Sequence, residues 1–307
     1  MTRTRPALAT LFAGLLLAAC GGGTQQQEVF VPQRYFALGD DASAFTPNGR
    51  KYSINGLNTN NAIDCQQQPL WIQQVASLWN FVFAECNPQN LDVRAKTLAF
   101  AGAKVADVAA QIEAQVAAGG FRDKDIVTVY VGVNDVLELY REFPARAEAS
   151  LMSEARQRGQ RIGQIVNRLV DLGAKVIVST VPDVSLTPYG QRQRAEFRDT
   201  DRAALMTRLT AAMNEQLGVS VLLDGRFVGI VQADLRFAAI GISPGSFGFI
   251  NITEGVCTVP LPNCTTSTVP SGVDPGGYLW ADDTRLSPAG QTQLAALAAD
   301  RARRNPF

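Results

Sequence analysis

The chain has 307 residues, with 28 Lys+Arg balanced by 28 Asp+Glu, 46% hydrophobic residues and 18% charged residues. That balance excludes a basic nucleic-acid-binding surface and a polyanionic tail, and the apolar content is enough for a sizeable core. Histidine is absent from the sequence, so neither a histidine base nor a histidine metal ligand is available.

Arg3 and Arg5 precede an apolar run over residues 8–17, which ends in Leu17-Ala18-Ala19-Cys20-Gly21. The run is too short for a membrane span and reads as an export signal over residues 1–20. Small residues ahead of a cysteine resemble the lipobox of bacterial lipoproteins. That resemblance implies lipidation of Cys20 and a lipid bilayer as partner; the alternative is an ordinary signal peptide with a chance cysteine. Residues 21–33, opening Gly-Gly-Gly-Thr-Gln-Gln-Gln, read as a flexible tether to a single domain over 34–307. In a Gram-negative host, glycine after the cysteine and no aspartate there point to the outer membrane.

Cys65, Cys86, Cys257 and Cys264 remain, and an even number in an exported chain predicts two disulfides. Three pairings are open. Cys65–Cys86 and Cys257–Cys264 are favoured because each closes a short local loop. Zinc is the rival, without CxxC spacing or histidine to support it.

Along the domain, residues 34–39 (Arg-Tyr-Phe-Ala-Leu-Gly) form the first strand, and the Asn/Gly/Gln-rich stretch 46–68 forms a long loop pinned by Cys65. Helical spacing of Leu70, Trp71, Val75, Leu78 and Trp79 predicts a helix over 69–83, followed by a strand over 97–101. Val105, Val108, Ile112 and Val116 mark one face of a helix over 104–118, stopped by Gly119-Gly120. The β-branched run 125–132 suits a central strand covered on both faces. A long charged helix over 142–172, a strand over 175–180, a helix over 200–217 and a fifth strand over 219–223 follow. One more helix is expected within 226–239, a loop-rich stretch over 240–278, and a closing helix over 287–303 with Ser287-Pro288 as its cap and first position. Strands alternating with helices predict an α/β/α sandwich: a five-stranded parallel sheet of flavodoxin-like type.

Four loops then gather at the sheet's carboxyl edge. They are Gly39-Asp40-Asp41-Ala42-Ser43, Ala101-Gly102-Ala103, Gly132-Val133-Asn134-Asp135, and residues 280–288, which contain Asp282-Asp283-Thr284-Arg285-Leu286-Ser287-Pro288. Each alone is weak; their order and their fit to the strand ends are specific. The pattern resembles the SGNH/GDSL hydrolases, a family of esterases and lipases, over roughly residues 34–304. The third block matches the family's Gly-x-Asn-Asp in full. Gly248-Phe249-Ile250-Asn251-Ile252-Thr253 is similar to a segment upstream of the histidine block in many family lipases.

The resemblance implies a serine nucleophile, a histidine base, an orienting aspartate and an oxyanion hole, with no cofactor and no metal. Carried onto this chain, the orienting acid is Asp282. The oxyanion donors are Gly102, Asn134 and the backbone of the nucleophile position. That position is Asp41, and the histidine position is Arg285. Arginine stays protonated and is no general base. An aspartyl ester would still need an activated water for its release. Losing nucleophile and base together costs on the order of a millionfold in turnover.

Two expectations follow for the site. One is that Asp41 pairs with Arg285, with Asp282 as second acceptor, and that the Asp41 carboxylate repels an oxyanion or fills its hole. The rival is unrelated drift at an unused site. Three functions are weighed: a silent envelope lipoprotein binding an ester, lipid or glycan ligand or a partner; an active ester hydrolase with a new base at Asp40, Asp135 or Asp283; and a cation site of Asp40, Asp41, Asp135 and Asp282. Ser43 is a nearby hydroxyl without an evident base. The apolar stretch 240–249 reads as a lid or as surface packing.

Overall fold

The computed structural model describes residues 30–197 and 201–307; Cys20 and its lipobox-like segment lie outside the described residues. In chain order the elements begin with β1 (Arg34–Gly39), the short hairpin of β2 (Gly56–Leu57) and β3 (Ile63–Asp64), and α1 (Trp71–Ala76). Next come β4 (Val82–Phe83), β5 (Val93–Thr97), α2 (Val105–Ala117), β6 (Asp125–Tyr130), α3 (Val133–Arg141) and α4 (Glu148–Asp171). β7 (Lys175–Ser179), α5 (Pro188–Glu196), α6 (Arg202–Ser220), β8 (Val228–Val231) and α7 (Ala233–Ile242) follow. The described chain closes with β9 (Asn251–Gly255), β10 (Tyr278–Trp280) and α8 (Pro288–Arg304).

The central sheet is parallel throughout, in the order β4-β5-β1-β6-β7-β8. Alternation along its strands divides the core in two. Phe36, Leu38, Val127, Val129, Val176 and Val178 point to the face covered by α2, α4 and α6. Tyr35, Ala37, Ile126, Ile177 and Val231 point to the face covered by α1, α7 and α8. Side chains of period two on strands buried from both sides produce this three-layer arrangement. Gly119 and Gly120, both at positive φ, stop α2. Ser287 Oγ accepts from Gly290 N–H at 3.1 Å and starts α8. The disulfides are Cys65–Cys86 and Cys257–Cys264.

The sheet has six strands where five are expected from the sequence. The sixth is the two-residue edge strand β4, carved from the end of the predicted 69–83 helix. The second predicted strand lies earlier, at Val93–Thr97, with Tyr35 opposite Ala95. The last strand is Val228–Val231, at the start of the stretch 226–239 expected to contain a helix, while Val219 and Ser220 end α6. Close packing explains the longer helix. A Cβ added to Gly163 of α4 would lie 2.6 Å from the Ser220 side chain, and this approach buries Leu217 and Val221. Two helices, α3 and α5, fall where the sequence suggests loops, and α7 supplies the helix expected within 226–239.

Candidate active site

β1 delivers its last residues to the carboxyl edge through a tight crossing. Gly39 has φ +132°, and a Cβ there would lie 1.8 Å from the Tyr130 carbonyl oxygen of β6. The buried Gln111 amide holds the crossing, accepting from Gly39 N–H at 2.8 Å and donating to Gly39 O at 2.9 Å. Asp40 Oδ1 then accepts from Ala42 N–H at 3.1 Å, and the turn projects Asp41 into a cleft.

The Asp41 carboxylate is 5% exposed and fully engaged. Its Oδ2 accepts from Gly102 N–H at 2.9 Å and from Asn134 Nδ2 at 3.0 Å. Its Oδ1 accepts from Arg285 Nε at 2.8 Å. Gly102 sits at φ +78° in an open turn after β5. Asn134 is the second residue of α3, two after the capping Gly132, and also donates to Ala103 O at 3.0 Å. Arg285 reaches the cleft from the far end of the sequence and donates through Nη1 to Asp282 Oδ2 at 2.9 Å. The other oxygen of Asp282 shapes the turn, accepting from Thr284 N–H at 2.9 Å and Arg285 N–H at 2.7 Å. Burial alone would lower the Arg285 pKa, but the Asp41 and Asp282 carboxylates outweigh it and hold it above its ordinary value. The guanidinium fork bridges two carboxylates, as expected from the sequence.

The second loop supporting this turn comes from β9. A Cβ on Gly255 would lie 2.5 Å from the Asp282 backbone, and Cys257 N–H donates to Ala281 O at 2.8 Å. The Cys257–Cys264 disulfide therefore secures the chain one residue before Asp282. Ser53 Oγ donates to Leu286 O at 2.8 Å from the other side.

Other candidate residues lie elsewhere. Ser43 is fully buried, and its Oγ accepts from Trp71 Nε1 at 3.1 Å. Asp283 turns outward to the guanidinium of Arg192, 2.6 Å from its Nη1. Asp135 is 1% exposed and accepts from Val105 N–H and Arg158 Nη1 at 3.0 and 3.1 Å. Burial pushes its pKa up to about 6. Asp40 stays beside Asp41; burial first, and then the Asp41 charge, raise its pKa well above the ordinary carboxylate range. The four aspartates weighed as a cation site do not converge, since Arg285 stands between Asp41 and Asp282 and Asp135 faces Arg158. Ile240 and Phe249 pack into the core beside α7 and α8, and residues 240–249 do not line the cleft.

The cleft beside Asp41 is lined by Tyr52, Tyr130, Val133 and Thr284 among others. Its volume is about 30 Å³, room for one or two water molecules. Tyr52 and Tyr130 are walls that sequence reasoning missed; neither stands in a motif block. Gln111 was missed as well, although a glutamine inside an apolar helix face is a readable sign of a buried polar contact.

A parallel sheet covered on both faces, with these four loops at its carboxyl edge, defines a three-layer α/β/α sandwich with its cleft at the strand ends. A family model for GDSL-like lipase/acylhydrolase matches residues 35–298, and the chain belongs to that family. Solved structures of similar fold include the lipase Lip_vut3 from a goat rumen metagenome. It is 12% identical with a TM-score of 0.51, and the match covers 89% of this chain and 99% of the lipase. A catalytic mutant of Axe2, an acetylxylan esterase from Geobacillus stearothermophilus, is 15% identical with a TM-score of 0.46, over 89% and 96% of the two chains. A search of curated proteins finds no matching sequence.

Proposed function

We propose that this chain is a non-hydrolytic member of the GDSL-like family, an envelope lipoprotein that binds a ligand or partner instead of cleaving an ester. One observation carries the reading: the Asp41 carboxylate already occupies the donors of Gly102 and Asn134 and is clamped there by Arg285. An ester carbonyl would need those same donors to stabilise the charge that develops on its oxygen. Arg285, held above its ordinary pKa, accepts no proton. The other carboxylates weighed as a base are turned away or buried, and Ser43 is sealed under Trp71. The ligand classes that the family suggests are acyl esters, lipids and acylated glycans. The lipobox-like Leu17-Ala18-Ala19-Cys20-Gly21 supports the anchor reading, which implies the cell envelope and, in a Gram-negative host, the outer membrane.

The test is hydrolysis of short acyl-nitrophenyl esters by the purified protein. Turnover at the uncatalysed rate is expected. Saturable turnover that disappears in Asp41→Ala overturns the reading in favour of a rearranged esterase.

A further inference from the structure

The pole opposite the cleft carries a surface that the site does not use. β1, β6, β7 and β8 begin at that end of the parallel sheet, and α8 runs from Pro288 beside the cleft to Arg304 at this pole. Phe30, the first described residue, packs edge-on against Phe307 with ring centroids 5.8 Å apart. These rings, with Leu78, Trp79, Arg303 and Arg304, line a groove of about 660 Å³. Trp79 is half-buried, while Arg303 and Arg304 are exposed. Residues 300–307 carry three arginines against one acid, Asp300, which pairs with Arg304 at 2.9 Å. The groove thus mixes aromatic rings with polar groups such as Ser77 and Asn305 and is cationic at its edge.

The chain length ahead of Phe30 says what this groove faces if Cys20 is lipidated, the reading on which this inference rests. Residues 21–29 separate the two. Nine residues of Gly/Gln-rich composition span about 18 Å on average as a random chain, and at most ~35 Å when fully extended. The α8 helix, from cleft to pole, is about 25 Å long. The average span is shorter than the distance from pole to cleft, so with Cys20 in the bilayer the Phe30 pole is the end of the domain nearer the headgroups.

We propose that this pole docks on an anionic phospholipid surface. Trp79, Phe30 and Phe307 lie at headgroup level, where aromatic rings are favoured. Arg303 and Arg304 meet the lipid phosphates. The docked protein presents the Asp41 cleft away from the bilayer.

The test uses the full chain recovered from a lipoprotein-processing bacterium and mixed into phosphatidylcholine/phosphatidylglycerol vesicles with brominated acyl chains. Trp71 and Trp280 are 1% and 2% exposed, so bromine quenching reads Trp79, and Trp79→Phe removes the quenched component. Quenching of Trp79 is expected. In Arg303→Gln/Arg304→Gln the docked-to-undocked ratio is expected to fall about thirtyfold, roughly fivefold per arginine. Trp79 emission that is equal in brominated and plain vesicles, or quenching unchanged in the arginine variant, overturns the proposal; a groove filled by the tether or by a second copy gives the first of these. The mass of the amino-terminal peptide from the same sample reads the lipid on Cys20 separately. Lipid without quenching overturns docking and leaves the anchor, and quenching without lipid does the reverse.

Discussion

In the resting protein, Gly102 N–H and Asn134 Nδ2 point at a full negative charge, that of Asp41, 2.9 and 3.0 Å away. A hydrolase reserves such donors for charge that appears only in the transition state. The Arg285 guanidinium makes the arrangement tolerable, because a carboxylate buried with neutral donors alone would be short of compensation. Arg285→Met should therefore destabilise the fold by about 2 kcal/mol in urea unfolding, less than a fully buried pair because the arginine side chain is 33% exposed. A loss under about 0.5 kcal/mol would mean that the pair is incidental. Asp40 gives a pH signature of its own. Its pKa rises from 3.8 on folding, so its contribution to stability is full below that value and falls as pH climbs from it towards the raised one. Asp40→Asn still offers an oxygen to Ala42 N–H. It should match the wild type in acid and exceed it progressively above about pH 4. Thermal unfolding across pH checks this, and a gap constant with pH would contradict it.

At the scale of elements, the long loop before α1 is held by a buried cation. Lys51 is fully buried, and its Nζ donates to the carbonyls of Cys65, Gln67 and Gln68. Asn55 beside it donates to Pro262 O and Cys264 O at 2.9 and 3.0 Å, joining this loop to the second disulfide and so to the turn that bears Arg285. Lys51→Met fills similar space but strands three carbonyls; a loss of about 3 kcal/mol is expected in urea unfolding, and a near-neutral effect would refute this role. Nothing in the sequence marked Lys51, since a lone lysine in a polar loop reads as solvated. The first and third motif blocks were legible because glycine and small polar residues follow the apolar runs of β1 and β6, and the partnership of Asp41 with Arg285 followed from their opposite charges at the positions that the family resemblance picks out. Strand positions were less legible where local preference lost to packing. Val219 and Leu223 look like strand, but α6 continues past its apolar stripe to pack on α4. β8 has only four residues, Val228–Val231, too few to show a period.

For the molecule as a whole, β1 begins at the pole that carries Phe30 and ends at the cleft, so the start of the described chain and the site are at opposite ends of one strand. Among the described residues no helix is long and apolar enough to cross a membrane, and the proposed attachment runs through Cys20. Cys20→Ala should therefore abolish labelling by a fatty-acid analogue in cells; labelling that persists would contradict lipidation at this residue. The rest of the scaffold keeps the form of an esterase: the sheet, the Gly39 crossing, the Gly102 turn, Asn134 and Asp282. Two side chains, Asp41 and Arg285, are proposed to silence it. The most direct measurement is acetyl-nitrophenyl ester hydrolysis by Asp41→Ser/Arg285→His beside the wild type. The double variant should turn over at least about a hundredfold faster than the wild type, the low end of what general-base assistance contributes. A folded double variant no faster than the wild type would contradict the claim.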